Sequence, residues 1–195
     1  MFHGVSLRGC AFHWGKAVQM QAKSLRVTAA AAHDAKLGKL LQRIQMMQFL
    51  PSGHINEAYQ KFKASSQRYC ADHPLHSFLD YMRKQWVEST TFPSSSWSQY
   101  GIKTRTNNDL EGWLRSLNAS LGPRPHLYGF IKKTSMEAEM TEEVITVEDF
   151  TRRTSERQTR REESIARLQR RYEMRELTPG AYLDAMSHLY KIRTE

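Results

Sequence analysis

The sequence is poor in cysteine and has no long apolar run. Cys10 and Cys70 are the two cysteines among 195 residues, which is too few for a disulfide framework and favours a reducing compartment. No stretch approaches the roughly 20 apolar residues of a membrane span, and the first residues lack the basic-then-apolar order of a secretory signal. We therefore exclude disulfide-rich secreted proteins and expect no association with membranes.

Acidic residues are also scarce, but only in one part of the chain. The net charge is +9, the isoelectric point is about 9.7 and the mean hydropathy is −0.65. Residues 1–140 carry 18 basic and 9 acidic side chains, whereas residues 141–195 carry 11 of each. Within residues 1–68 the counts are 10 and 2. This density favours an acidic partner such as nucleic acid, although a solvated basic surface has the same composition.

Apolar residues recur at three- and four-residue steps along most of the chain, and this spacing predicts a mainly α fold. The alanine tract after the first predicted helix is compatible with its continuation. Residues 63–73 and 88–104 lack the period and are predicted to be loops, the second pinned to the domain by its aromatic residues. The helices are predicted from Trp14 to Leu25, Leu37 to Met47, Ile55 to Phe62, Pro74 to Trp86, Leu110 to Leu117, from Leu127, from Ile165 to Tyr172 and from Pro179 to Leu189.

The start and the end of the chain depart from this pattern. Alternating residues at Val5-Ser6-Leu7 predict at most one short strand, which breaks at Gly9. Residues 151–164 contain no hydrophobic residue, so they form an exposed helix or are disordered. The last two helices are predicted to form a small helical hairpin, and the sequence does not determine where this hairpin packs. We divide the chain into a helical domain, residues 1–140, and a charged linker with C-terminal helices, residues 141–195.

A helix start with two amides lies in the middle of the chain. Asn107 or Asn108 can cap the helix, Glu111 lies in its first turn, and Trp113 belongs to its apolar stripe. An ordinary capped helix accounts for this pattern. Amides before a carboxylate are also placed where a group must be held at fixed geometry, so the stretch is a candidate site.

Cys10 and His13 form a C-x-x-H pair near the start of the chain. A thiolate and an imidazole at this spacing can bind one metal, but structural zinc needs four ligands, and no second pair has finger-like spacing. The alternative is structural, with Cys10 and Phe12 buried and His13 hydrogen-bonded at a strand-to-helix turn. Both interpretations stay open at this point.

Together these motifs resemble the C-terminal part of a Mutator-like element (MULE) transposase, over roughly residues 5–135. By this resemblance Cys10 and His13 are the C-x-x-H pair that follows the second catalytic Asp of an RNase H-like core. A helical insertion comes next, and Glu111 is the third catalytic acid, with Asn107, Asn108 and Trp113 positioning its turn. The matching segments are Gly9-Cys10-x-Phe12-His13, Phe49-Leu50-Pro51, Phe78-Leu79-Asp80-Tyr81, Phe92-Pro93, Trp97, Arg105-Thr106-Asn107-Asn108-x-x-Glu111-Gly112-Trp113 and Pro125-His126-Leu127-Tyr128-Gly129-Phe130-Ile131.

The chain departs from the family in two ways. Leu114 stands where the family often has His, and neither of the two upstream catalytic Asp residues is present. The expected fold is therefore the helical insertion and terminal helices of a truncated RNase H-like transposase domain. The resemblance implies a nuclear location, with the cytoplasm as the alternative, and Mg²⁺ or Mn²⁺ for the full-length family. Two-metal chemistry needs several carboxylates, so we expect Glu111 to be a vestigial acid without activity alone.

DNA binding through the basic N-terminal part is the function that these observations favour. The alternative is a non-catalytic helical interaction module in which residues 141–195 bind a protein partner or a second copy, and a third interpretation is a degraded reading frame without a stable fold. Trp97 and Tyr100 are expected beside a displaced strand. The candidate phosphate contacts are Arg8, Lys16, Lys23, Arg26, Lys36, Lys39, Arg43, Lys103 and Arg105.

Overall fold

The computed structural model describes residues 8–103, 105–106, 108–146 and 156–190. These residues are mainly helical and include no strand, which confirms the mainly α fold. The short strand predicted at Val5-Ser6-Leu7 lies outside the described residues.

Ten α-helices account for most of the described chain, and the short helix Ser94–Trp97 lies within residues 88–104, which were predicted to be a loop. A 3₁₀ turn, Met47–Phe49, follows the third helix, and a π-helical turn, Arg83–Val87, follows the fifth. The helices are α1 Ala11–Ser24, α2 Val27–Ala31, α3 Ala35–Met46, α4 Ser52–Ser66, α5 Pro74–Met82, α6 Ser94–Trp97, α7 Asn108–Leu121, α8 Leu127–Thr146, α9 Glu156–Glu173 and α10 Pro179–Leu189.

Contacts between residues divide the chain into two compact units. Unit 1 comprises the described residues within 1–105 and 160–195, and unit 2 comprises those within 106–159. The helices near the C-terminus thus belong to the same unit as the N-terminal helices. The division at residue 140 drawn from composition and resemblance stays a prediction.

Two helix ends differ from the sequence-based expectation. The alanine helix α2 is separate from α1, because Arg26 adopts a left-handed conformation with φ 60° that ends the first helix. Helix α4 continues to Ser66, so the loop predicted from residue 63 begins too early. The start of α3 is capped by Asp34, whose Oδ1 accepts the backbone N–H groups of Lys36 and Leu37 at 2.8 and 3.2 Å.

Aromatic side chains fill one end of the unit 1 core. The rings of Trp14 and Trp97 stack with centroids 5.0 Å apart, and Trp86 meets both edge-on. The indole N–H of Trp97 donates to the backbone oxygen of Trp86 at 3.2 Å. Since Trp97 is 2% exposed, the prediction that its loop is pinned to the domain is confirmed.

The C-terminal helices complete the same core. Ile165 of α9 and Tyr182, Leu183 and Met186 of α10 are buried, although the segment before Ile165 contains no apolar residue. The Tyr182 hydroxyl donates to the backbone oxygen of Phe49 at 2.9 Å. Burying these side chains removes apolar area from water at the α3 and α10 contact. The hairpin therefore docks on unit 1.

We expect Tyr182→Ala to lower the free energy of unfolding of unit 1 by about 3–5 kcal/mol, as for other buried aromatic truncations. The substitution removes a buried ring and leaves the Phe49 carbonyl without its donor. Denaturant unfolding followed by circular dichroism measures the change. Met174→Ala is the control, because Met174 is 70% exposed and should change stability by less than about 0.5 kcal/mol. Equal effects of the two substitutions would contradict the docking of α10.

Candidate nucleic-acid interface

A basic cleft lies between α3 and the end of α4. Lys36, Lys39 and Arg43 occur at steps of three and four residues and so share one face of α3, and Arg68 follows α4. The cleft has a volume of about 340 Å³, which is ample for a phosphate group. Its lining residues are Lys36, Lys39, Leu40, Arg43, Ser65, Arg68 and Tyr69.

Asp184 of α10 engages two of these cations. Arg43 donates from Nε to Oδ1 at 2.6 Å and from Nη2 to Oδ2 at 2.7 Å, a bidentate geometry typical of strong arginine–carboxylate pairs. The Lys39 ammonium lies 3.2 Å from Oδ2 and its side chain remains 59% exposed. Arg43, with Lys39, holds the pKa of Asp184 below its usual value. Arg43 therefore fixes α10 to α3, while Lys39 stays accessible to a ligand.

A second carboxylate, Asp34, lies close to the cleft. The Tyr69 hydroxyl donates to its Oδ2 at 2.9 Å, and the Leu37 backbone N–H and this hydroxyl lower the pKa of Asp34. The Arg68 Nε donates to the backbone oxygen of Ser65 at 3.1 Å, which orients the guanidinium at the rim. Four cations against Asp34 and Asp184 leave an excess of positive charge, as an anion site requires.

The remaining predicted cations in unit 1 fall into two groups. Five of them are exposed and lie outside the lining of the cleft. One of these, Lys16, has its ammonium 6.0 Å from the centre of the Phe12 ring, within the range of a cation–π contact. Lys16 and Lys23 are seven residues apart and share one side of α1. The exposed group is Arg8, Lys16, Lys23, Arg26 and Lys103.

Arg105 forms the other group, because it is buried and paired. Arg105 is 8% exposed, and its Nη1 donates to both carboxylate oxygens of Glu162 at 2.7 and 2.6 Å. Its backbone oxygen accepts from the N–H of Ala11 at 2.7 Å. A buried guanidinium held in this way joins segments of unit 1, so Arg105 is not available to a ligand at the surface.

The aromatic residues expected beside a displaced strand have internal partners. Trp97 belongs to the core described above. The Tyr100 hydroxyl donates to Glu173 Oε1 at 2.9 Å, and burial raises the pKa of this phenol, with a further contribution from Glu173. Base stacking needs an open ring face, and the Tyr100 ring meets Tyr172 and Tyr182 edge-on.

Two of the segments that carry the resemblance, the one that begins at Gly9 and the one around Trp97, are hydrogen-bonded to each other in unit 1. The Gly9 N–H donates to the Ser96 oxygen at 2.7 Å, and Gln99 Nε2 donates to the Gly9 oxygen at 2.7 Å. Cys10 is half-buried and precedes α1, whereas His13 is exposed in its first turn. The predicted burial of Phe12 is wrong, because its side chain is 39% exposed on the outer side of α1.

The helix start around Glu111 belongs to unit 2. Helix α7 begins at Asn108, which confirms the predicted helix, and Asn107 lies outside the described residues. Glu111 is half-buried and Trp113 is 41% exposed. Cys10 and His13 lie in unit 1.

The described residues do not form a metal centre of the kind that the resemblance implies. Within the part of the chain that the structure describes, no three His, Cys, Asp or Glu side chains are grouped so that they could hold a metal ion.

No protein-family model matches the chain, nor does any curated protein or solved structure. The transposase resemblance therefore stays a prediction from the motifs. None of the described helices combines the length and apolar composition that crossing a bilayer requires.

Three residues that line the cleft, Arg68, Ser65 and Tyr69, were not predicted from the sequence. They fall in residues 63–73, which lacked apolar periodicity and were predicted to be a loop. Their place beside α3 comes from the contact between α3 and α4, and no local spacing in the sequence pairs Arg68 with the lysines. Helical continuation of α4 to Ser66 is the only local signal that could have brought them near this face.

We expect the contact between Asp184 and Arg43 to make folding stability depend on acid pH. Because the folded-state pKa of Asp184 is lowered, its contribution is complete above about pH 4, the ordinary carboxyl range, and is lost as the pH falls through the folded-state pKa. Asp184→Asn should cost about 1–2 kcal/mol at pH 7 and flatten the dependence below pH 4. Urea unfolding from pH 7 to pH 2 measures both. An equally steep acid loss in the variant would contradict the assignment.

Proposed function

We propose that unit 1 binds the phosphate backbone of DNA. The observation that carries the proposal is the cleft in which Lys36, Lys39 and Arg68 surround a space of about 340 Å³. Lysine and arginine side chains supply most backbone contacts in protein–DNA interfaces. The motifs that resemble a MULE transposase point to the same class of ligand.

The cations of the cleft differ in their freedom to bind. Arg43 is held by two hydrogen bonds to Asp184, so it shapes the wall. Lys36, Lys39 and Arg68 are exposed and can reach phosphate oxygens without any change in the core. The exposed Lys16, Lys23 and Arg26 belong to the same unit and add to its positive field.

The test is the salt dependence of binding to a labelled duplex of about 20 base pairs. We expect the wild-type affinity to fall with salt, and each of Lys36→Ala, Lys39→Ala and Arg68→Ala to reduce the slope of log K against log salt by about 0.9, the value for one lost phosphate contact. Fluorescence anisotropy at four or more salt concentrations measures the slopes.

Lys63→Ala is the matched control. Lys63 is exposed on α4, two residues before Ser65 and therefore on another side of the helix, and its removal costs the same charge. It should change the slope by much less than Arg68→Ala. An affinity independent of salt, or equal effects of all four substitutions, would overturn the assignment of the cleft.

We further propose that this chain has no strand-transfer or nuclease activity alone. Its 195 residues contain Glu111 of the T-N-N-x-x-E motif but no counterparts of the two upstream Asp residues. One carboxylate cannot hold the two cations that activate the attacking oxygen and stabilise the leaving one.

A nicking assay on supercoiled DNA with Mg²⁺ or Mn²⁺ tests this second part. We expect no conversion to the nicked form above the background without protein. Glu111→Gln is the control variant, since it removes the carboxylate with little change in size. Clear activity in the wild type that Glu111→Gln abolishes would contradict the proposal.

The alternative function is a non-catalytic helical interaction module. The described apolar residues of α9 and α10 are used inside unit 1, since Ile165, Tyr182 and Met186 are buried. The observation that favours an interaction role is instead the set of exposed apolar residues on α7 and α8 of unit 2. Absence of DNA binding together with a defined oligomer would favour this alternative.

A further inference from the structure

A second groove in unit 1 lies between α3 and α10, next to the basic cleft. Its volume is about 450 Å³, within the roughly 300–1,000 Å³ that small-molecule sites occupy. The lining residues recur at steps of three and four along both helices, so one face of each helix forms a wall. Besides Lys39 and Asp184, the groove is lined by Ala35, Gly38 and Gln42 of α3 and by Ser187 and His188 of α10.

The groove differs from the cleft in its charge. Four cations and no carboxylate line the cleft. In the groove Lys39 faces Asp184, and the lysine ammonium lies 3.2 Å from Oδ2 of the carboxylate. Opposite charges in one lining cancel, so this space has no excess of positive charge to attract an anion. The groove therefore suits an uncharged polar group better than a phosphate.

Uncharged side chains supply hydrogen-bonding groups along the groove. Gln42 and His188 are exposed and have no hydrogen-bond partner among the described residues. The Ser187 hydroxyl donates to the backbone oxygen of Asp184 at 2.7 Å, which leaves its own lone pairs able to accept. An amide, an imidazole and a hydroxyl together present both donors and acceptors. The edge of a nucleobase presents the complementary combination.

Gly38 keeps the α3 wall of the groove open. A Cβ at this position would lie 3.5 Å from the backbone oxygen of Ala31, which is an ordinary contact distance, so packing within the unit does not require a glycine. Glycine inside a helix is less stable than alanine by about 0.5–1 kcal/mol. Its presence in α3 is explained if a flat ring approaches the helix backbone there.

Lys39 connects the groove to the proposed phosphate contacts. Its side chain is 59% exposed, and it lines both the groove and the cleft. Each phosphate of a DNA strand is joined through one sugar to a base, so a strand whose phosphate lies at Lys39 carries a base beside the groove. The bases of a duplex are paired and stacked, and a base leaves the stack only at a cost in free energy.

We propose that this groove receives an unpaired base of a DNA strand whose phosphate lies in the basic cleft. The inference rests on the proposed function and deepens it, because it names single-stranded DNA as the preferred ligand. Gln42 and Ser187 form hydrogen bonds with the edge of the base, and Gly38 gives its ring access to α3. A duplex still binds through its phosphates, but it leaves the groove unused.

The test compares two strands with equal numbers of phosphates, binding to the full chain. One is a single strand of about 12 nucleotides, and the other is the same strand without bases. We expect the wild type to bind the strand with bases at least about fivefold more tightly, as one or two hydrogen bonds of ordinary net strength provide. Fluorescence anisotropy measures both dissociation constants.

Variants of the groove locate the base. Gln42→Ala and Gly38→Leu should each remove most of this ratio, the first by deleting the amide and the second by filling space. Neither changes the charge, so the affinity for the strand without bases and the slope of log K against log salt should stay at their wild-type values. Circular dichroism checks the fold, which Gly38→Leu should preserve, since leucine is a better helix former.

Gln60→Ala is the matched control for Gln42→Ala. Gln60 is exposed on α4 and lies outside the linings of the cleft and the groove, so its removal costs the same side chain elsewhere on unit 1. This variant should keep the wild-type ratio. An equal fall in Gln42→Ala and Gln60→Ala would overturn the inference, since the base would then lie outside the groove.

The two proposals fail in different ways. Equal affinity of the wild type for the two strands, with salt-dependent binding intact, would overturn the inference and leave the phosphate cleft standing. Absence of salt-dependent binding to either strand would overturn the proposed function and the inference with it.

Discussion

The bidentate contact between Arg43 of α3 and Asp184 of α10 joins the two ends of unit 1. Its partners are 141 residues apart in the chain, and the Tyr182 hydroxyl adds a hydrogen bond to Phe49 from the same helix. Burial of Tyr182, Leu183 and Met186 supplies the apolar part of this docking. Because the ion pair holds Arg43 in place, it also shapes the wall of the basic cleft. The same contact thus contributes both to the docking of α10 and to the shape of the candidate binding surface.

Helix α3 serves both roles through its two faces. Leu37, Leu40, Leu41 and Ile44 are buried in the core, which fixes the rotation of the helix. The cations at Lys36, Lys39 and Arg43 then lie on another side of α3, where the end of α4 adds Arg68. Because α3 is packed in the core, the backbone that carries these lysines is already ordered before a ligand binds.

Local signals allowed much of the helical structure to be predicted from the sequence. Apolar stripes predicted α3, α5, α7 and α10, and Pro74 and Pro179 stand at the first position of their helices. The docking of α10 could not be predicted, because it depends on Asp184 meeting Arg43 across the chain. The role of Arg105 was missed for the same reason, since its partner Glu162 lies in a segment without apolar residues. The cleft could not be predicted either, because Arg68 comes close to the lysines of α3 only through the tertiary contact between α3 and α4.

The central claim is that phosphate groups bind between α3 and the end of α4. Amide resonances followed during titration with a 12-base-pair duplex test this claim most directly, because they locate the contact residue by residue. The account predicts shifts concentrated on residues 36–43 and 65–69, with those of α8 unmoved. Shifts confined to α7 and α8, or spread evenly over unit 1, would contradict it.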